Sequence, residues 1–207
     1  MLKELTLAEL LQELSSKSAA PGGGAVAALA GALAAGMVSM VSNLTVGKKK
    51  YLPYEDEMKK NIEIANKLSE EFTLLADKDT EAFNEVMEAY RLPHQSEEQK
   101  IERSRAVEEA TKRAALVPMD VLRRCEIVSQ LSRSVALRGN ENSISDAGVA
   151  AIMAYAAAQS ASLNILINLS TITDEDFKGK LKSEQDRVLK TVKDITEETL
   201  HIVQQKL

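Results

Sequence analysis

Two textures alternate along this chain. From Ser18 to Gly47, and again from Ala147 to Thr173, there is no charged residue, although 28% of the sequence is charged. Elsewhere charges interleave with apolar residues at helical spacing. Before Tyr90 the apolar stripe reads Met58, Ile62, Ala65, Leu68, Phe72 and Leu75. Such three-and-four spacing marks a helix with one buried face. Near the C-terminus Phe177, Leu181, Val188, Val192, Ile195 and Ile202 repeat the pattern of an outer-layer helix. Nowhere do β-branched and aromatic residues alternate between turn signals, so no strand is expected.

The punctuation predicts six helices. Thr6-Leu7-Ala8-Glu9 is a capping box that opens a short helix to about Ser15. A second helix runs from the glycines Gly22, Gly23 and Gly24 to about Asn43. Pro53 permits a third from Tyr54 to Tyr90, stopped before Pro93. Ser96-Glu97-Glu98-Gln99 is a second capping box, starting a long fourth helix to Arg138 with a kink expected at Pro118. After the loop Gly139 to Ser143, a fifth helix covers Asp146 to Ser170 and a sixth runs from Asp174 to the end. No linker or repeat divides the chain. The expectation is an all-α, single-domain bundle over residues 1–207, with the two small-residue helices central and the charged ones outside.

Small residues form ridges along the charge-free stretches of the second and fifth helices. Gly24, Ala28, Ala32 and Gly36 recur every four positions, as do Ala27, Gly31, Ala35 and Ser39. Ala147, Ala151, Ala154, Ala158 and Ala161 supply a similar face on the fifth helix. Ridges of this kind let backbones approach closely. They serve packing within the chain or pairing with a second copy, for which twofold symmetry is the commonest arrangement. A membrane span is the rival reading. It is disfavoured because the first segment is Ala and Gly rather than Leu, Ile and Phe, and the second carries Gln159, Asn164 and Asn168.

Composition narrows the function. A net charge of −5 argues against a general nucleic-acid binder. The single cysteine, Cys125, allows no intrachain disulfide and, between charged neighbours on a helix, reads as an inert core thiol. His94 and His201 stand far apart with no Cys partners, so no metal site is expected. Met1-Leu2-Lys3-Glu4 lacks the layout of a secretory leader, which points to a cytoplasmic protein.

Four features invite chemistry. Asp79 interrupts the third helix's stripe, which resumes at Phe83 and Val86. A carboxylate there either pairs at the stripe's edge or serves a site. Asn140-Glu141-Asn142-Ser143-Ile144-Ser145-Asp146 offers Ser145 or Asp146 as a cap, yet holds more polar groups than one cap requires. Lys48, Lys49 and Lys50 either solvate a helix end or meet an anion. The triple glycine resembles an anion cradle, but it follows no strand and lacks the Lys-Ser/Thr ending of a nucleotide loop.

Taken in order, Pro21-Gly22-Gly23-Gly24, Lys48-Lys49-Lys50-Tyr51, Asp79-Thr80-Glu81-Ala82-Phe83-Asn84, the Pro118 region, Asn140-Glu141-Asn142 and Ser145-Asp146-Ala147-Gly148 are similar to the cyclodeaminase family of folate enzymes. The likeness covers about residues 4 to 172 and departs from it at Ala25, where many relatives carry Ser. It implies a homodimeric helical bundle whose ligand is a tetrahydrofolate derivative, with no other cofactor. A formiminotransferase activity would have to come from another chain. The implied reaction turns 5-formiminotetrahydrofolate into 5,10-methenyltetrahydrofolate and ammonia, or hydrolyses the methenyl compound; the residues do not decide between them. By the same resemblance Asp146 and Asp79 are the carboxylates for proton transfer or for pairing with the pterin's donors. Gly22, Gly23, Gly24, Asn43, Phe83, Asn140, Asn142 and Ser145 contact substrate, while Lys48, Lys49 and Lys50 meet its glutamate.

Overall fold

Six α-helices account for about four-fifths of the chain: α1 (Leu7–Leu14), α2 (Gly23–Asn43), α3 (Glu55–Tyr90), α4 (Glu97–Arg138), α5 (Ile144–Leu169) and α6 (Glu175–Lys206). Short 3-10 turns cover Leu2–Glu4, Lys49–Tyr54 and Glu141–Ser143, and there is no strand. This computed structural model describes residues 1–207. Both capping boxes form: the Thr6 and Ser96 hydroxyls accept from the Glu9 and Gln99 amides, and the Glu9 and Gln99 side chains accept from the cap amides in return. α4 runs unbroken through Pro118, whose ring is buried.

The fifth helix starts two residues earlier than its sequence suggests. The Glu141–Ser143 turn runs straight into it, so Ser145 and Asp146 lie in its first turn and neither caps it. Asp146 keeps the weaker role open to an acid there, facing the positive end of the helix.

Antiparallel pairing sets the architecture. Along α2 and α3, Gly24 lies against Asp79, Gly31 against the ring of Phe72, and the Ser39 hydroxyl donates to Asn66 at 2.7 Å. A Cβ on Gly31 would come within 2.5 Å of the Phe72 ring, so this glycine exists to let a large side chain cross a backbone. α5 runs antiparallel to α2, with Asn164 beside Gly23 and the Asn140 side chain donating to the Leu44 carbonyl. Ion pairs bind the charged helices at their edges, among them Arg124 to Glu71 (2.6 Å) and Arg123 to Glu184 (2.7 Å). Cys125 is fully buried, and burial pushes its thiol pKa up, as a core role requires.

α4 touches α2, α3, α5 and α6, and α2 and α5 pack side by side. α2 and α5 are long and apolar enough to cross a membrane, and both bury much of their surface in the core. Each nevertheless leaves a strip in the open: Leu33 is 63% exposed, Leu163 69% and Ile167 67%. The ridge Ala27, Gly31, Ala35 and Ser39 faces the core, whereas the other drifts outward to Gly36, which has open space beside it. Four-residue steps rotate slowly around a helix of 3.6 residues per turn, so both ridges cannot stay buried.

Candidate active site

Proline, glycine and a long neighbour create the site at the N-terminus of α2. The chain enters through Pro21, and Gly22 occupies the cap position in extended conformation. None of Gly22, Gly23 and Gly24 uses a positive φ; in this chain only Gly47 does, at +77°. The glycines are therefore there for space. A Cβ on Gly24 would lie 1.9 Å from Asp79 Oδ1, and one on Gly23 would lie 3.1 Å from Asn164 Nδ2. Without side chains, the first turn of α2 can sit directly against a carboxylate and an amide.

Asp79 accepts a hydrogen bond from the Ala25 amide at 2.9 Å. Burial pushes its carboxyl above the ordinary aspartate value of 3.8, and the Ala25 bond offsets that only in part. The first ladder bond of α2 runs from the Val26 amide to the Gly22 carbonyl. The Gly23 and Gly24 amides precede it and have no partner within the chain, as the opening of a helix dictates. One carboxyl whose proton affinity burial raises thus adjoins two free N–H donors at a positive helix end.

A cavity of about 370 Å³ opens over this group. Phe83, Val86, Met87 and Tyr90 line it along one face of α3, at helical spacing from Asp79. Asn164 and Asn168 line the opposite wall from α5. Each spends its Nδ2 on a main-chain carbonyl one turn back, Ser160 and Asn164 respectively, which leaves the Oδ1 atoms as acceptors. Asp79 is the only carboxylate in this lining. A second cavity of about 510 Å³ shares Ala19, Ala20, Phe83 and Met87 with the first and extends to Arg91. Together they are large enough for a flat bicyclic ligand with a substituent. Beside them the Thr80 hydroxyl is buried without a partner.

A family model described as Formiminotransferase-cyclodeaminase matches residues 6–187. The chain belongs to the formiminotransferase-cyclodeaminase family. It is 40% identical to the methenyltetrahydrofolate cyclohydrolase of Methylorubrum extorquens, over 98% of this chain and 97% of that one. It is 35% identical to the formimidoyltransferase-cyclodeaminase of Mus musculus over 93% of this chain, and spans only 36% of that protein's length. Its fold matches the crystal structure of a formiminotetrahydrofolate cyclodeaminase from Thermotoga maritima with a TM-score of 0.90 and 32% identity, over 99% and 98% of the two chains.

Within this cyclodeaminase-family fold the expected site residues separate into two groups. Gly22, Gly23, Gly24, Asp79 and Phe83 meet in the cavity just described. Asn43, Lys48, Lys49, Lys50, Asn140, Asn142, Ser145 and Asp146 gather at the far end of α2 instead, about 30 Å along a helix of 21 residues. There Asn140 is a fastener: its amide donates to Thr45 Oγ1 (2.9 Å), its Nδ2 to the Leu44 carbonyl (3.1 Å), and its Oδ1 accepts from the Asn142 amide (3.2 Å). Lys50 pairs with Glu141 and lies over the Tyr51 ring, and Asn43 bonds back to the Ser39 carbonyl. Within one chain Asp146 and Asp79 stand at opposite ends of the bundle. A shared site would need a second chain to bring them together.

Tyr90, Asn164 and Asn168 are lining residues that the sequence reading missed. The signal for two of them was present: asparagines four apart in a charge-free stretch of helix share a face and need a reason to be there.

Proposed function

We propose that this chain is a folate one-carbon enzyme that works at the carbon bridging N5 and N10 of tetrahydrofolate, with Asp79 as its proton shuttle. The observation that carries the reading is Asp79 itself, a half-buried carboxyl of raised proton affinity beside two unpartnered amides. In cyclodeamination, N10 attacks the carbon of the formimino group in its protonated amidinium form (N5–CH=NH2+), and the Asp79 carboxylate takes the N10 proton. The same carboxyl then hands that proton to the formimino nitrogen, the C–N bond breaks and ammonia leaves, giving the methenyl cation. One carboxyl suffices because the proton is lost and needed at neighbouring atoms. The donors of a pterin ring suit the Asn164 and Asn168 oxygens, and Phe83 offers an apolar face. No cofactor beyond the folate is required by this route, and the setting proposed is cytoplasmic.

Hydrolysis of 5,10-methenyltetrahydrofolate is the second reading, favoured by the 40% identity to the Methylorubrum cyclohydrolase over nearly its whole length. Asp79 would then take a proton from the attacking water and return it to the departing ring nitrogen. Offering 5-formimino- and 5,10-methenyltetrahydrofolate separately, and following the methenyl chromophore, divides the two. Growth of the chromophore from the first is expected for deamination, and its loss from the second above the spontaneous rate for hydrolysis. A flat trace with both removes the chain from this chemistry.

The enzyme is further proposed to be a homodimer joined through α2 and α5. Leu33, Leu163 and Ile167 stand in solvent on charge-free stretches of two adjacent helices, which is a poor surface for a lone protomer. Light scattering after size exclusion should give twice the chain mass. Leu33→Asp should shift it toward the single-chain mass. A wild-type protein that runs as one chain at micromolar concentration contradicts the pairing.

A further inference from the structure

Beyond Tyr90 the active cavity runs into a third one, of about 390 Å³, and Tyr90 and Thr171 line both. Its cations are Lys100 and Arg103, with His94 beside them. Arg103 is half-buried: its Nε donates to the Tyr90 carbonyl at 2.9 Å and its guanidinium lies over the Tyr90 ring. Those contacts fix the fork in place and leave both terminal nitrogens without a partner in the chain. Lys100 pairs only with Glu97, which is 83% exposed, and a pair so open holds its partner weakly. The one acid in the lining, Glu108, is already committed. It accepts from the Thr173 and Asp174 amides and the Thr173 hydroxyl, with Lys112 close by. The field left over in this cavity is positive.

We infer that this Lys100–Arg103 cavity binds the carboxylates of the substrate's glutamyl tail, an inference that rests on the folate reading above. The spacing supports it. Asp79 and Tyr90 are 11 positions apart on one α3 face, about 16 Å along the helix. That span is comparable to a pteridine joined through an aminobenzoyl group to glutamate. Between the two ends Phe83, Val86 and Met87 offer an apolar floor for the aromatic linker. A guanidinium fork suits a carboxylate by two parallel N–H bonds. The other routes out of the cavity fit worse. Toward Arg91 the wall also carries Glu88, and the two charges offset each other. Lys48, Lys49 and Lys50 lie at the far end of α2.

Steady-state kinetics with three forms of the substrate, bearing no glutamate, one glutamate or three, test the assignment. Wild-type KM should fall as carboxylates are added and rise with salt. In Arg103→Gln and Lys100→Gln, KM for the triglutamate form should rise about five- to tenfold, with kcat and the KM of the glutamate-free form unchanged. Arg103→Lys should recover part of the loss. Lys100 is exposed and its one ion pair is on the surface, so its variant reports even where Arg103→Gln disturbs the fold. Unchanged discrimination in both variants, an equal KM rise for the glutamate-free form, or loss of discrimination in Lys48→Ala/Lys49→Ala/Lys50→Ala instead would each overturn the assignment. Wild-type enzyme that turns over none of the three forms removes the functional reading itself, and the tail site with it.

Discussion

Asp79→Asn should lower turnover by about 10²- to 10⁴-fold, the range spanned by loss of a general acid–base group. The fold should survive, because the amide oxygen of Asn can still accept from the Ala25 N–H. Stability supplies the second half of the expectation. Burial raises the folded-state pKa of Asp79 above the ordinary 3.8, so ionising it costs folding free energy as pH rises through that raised value. Asn carries no charge and escapes the cost. The melting temperature of Asp79→Asn should therefore equal or exceed wild type at pH 7, and the advantage should shrink as pH falls and wild-type Asp79 takes up its proton. The limb of kcat/KM that reports Asp79 ionisation should lie above 3.8 and vanish in the variant. A variant with more than a tenth of wild-type turnover would take Asp79 out of the proton path.

Gly24→Ala should lose about 10²-fold in turnover with little change in stability. The added Cβ would lie 1.9 Å from Asp79 Oδ1, far inside any tolerable contact. The carboxylate is the end of a short side chain and can rotate away more cheaply than either helix can move. Doing so forfeits the Ala25 bond and shifts the oxygen to which the proposed mechanism assigns the proton transfer, and misplacement on the order of 1 Å can cost about 10²-fold. Stability receives opposing contributions: loss of one hydrogen bond to a charged group against a gain of up to about 1 kcal/mol from Ala over Gly in a helix. Gly179→Ala is the control, since nothing lies within 4 Å of its Cβ position. It should keep full activity. Equal turnover in Gly24→Ala and Gly179→Ala would show that the tight approach of α2 to Asp79 is not needed for catalysis.

The two expectations show which parts of the site were legible beforehand. Asp79 announced itself by breaking an apolar stripe, because a carboxylate in a buried register is costly without a purpose. The glycines announced a close approach, though not to what. Asp146 and the lysines looked equally purposeful in sequence, yet they lie at the other end of α2. A run from Pro21 to Tyr51 reads as one motif on paper. Folded into a helix it places its glycines and lysines at opposite ends of the bundle.

By itself the sequence determined the helices, the two capping boxes at Thr6 and Ser96, the absence of strands, the folate family and the one acid out of register. These depend on local spacing and on residue types, which a chain carries whether or not it is folded. Only the tertiary structure decided which glycine faces which carboxylate, that Asn140 fastens a loop, and that Asn164 and Asn168 line the cavity. It alone set α2 and α5 side by side with an apolar strip outward, and placed Lys100 and Arg103 beyond Tyr90. Those outcomes depend on helix direction and rotation. A shift of one residue turns a helical side chain by about 100°, enough to move it from the core to solvent, and only packing against neighbours fixes that angle.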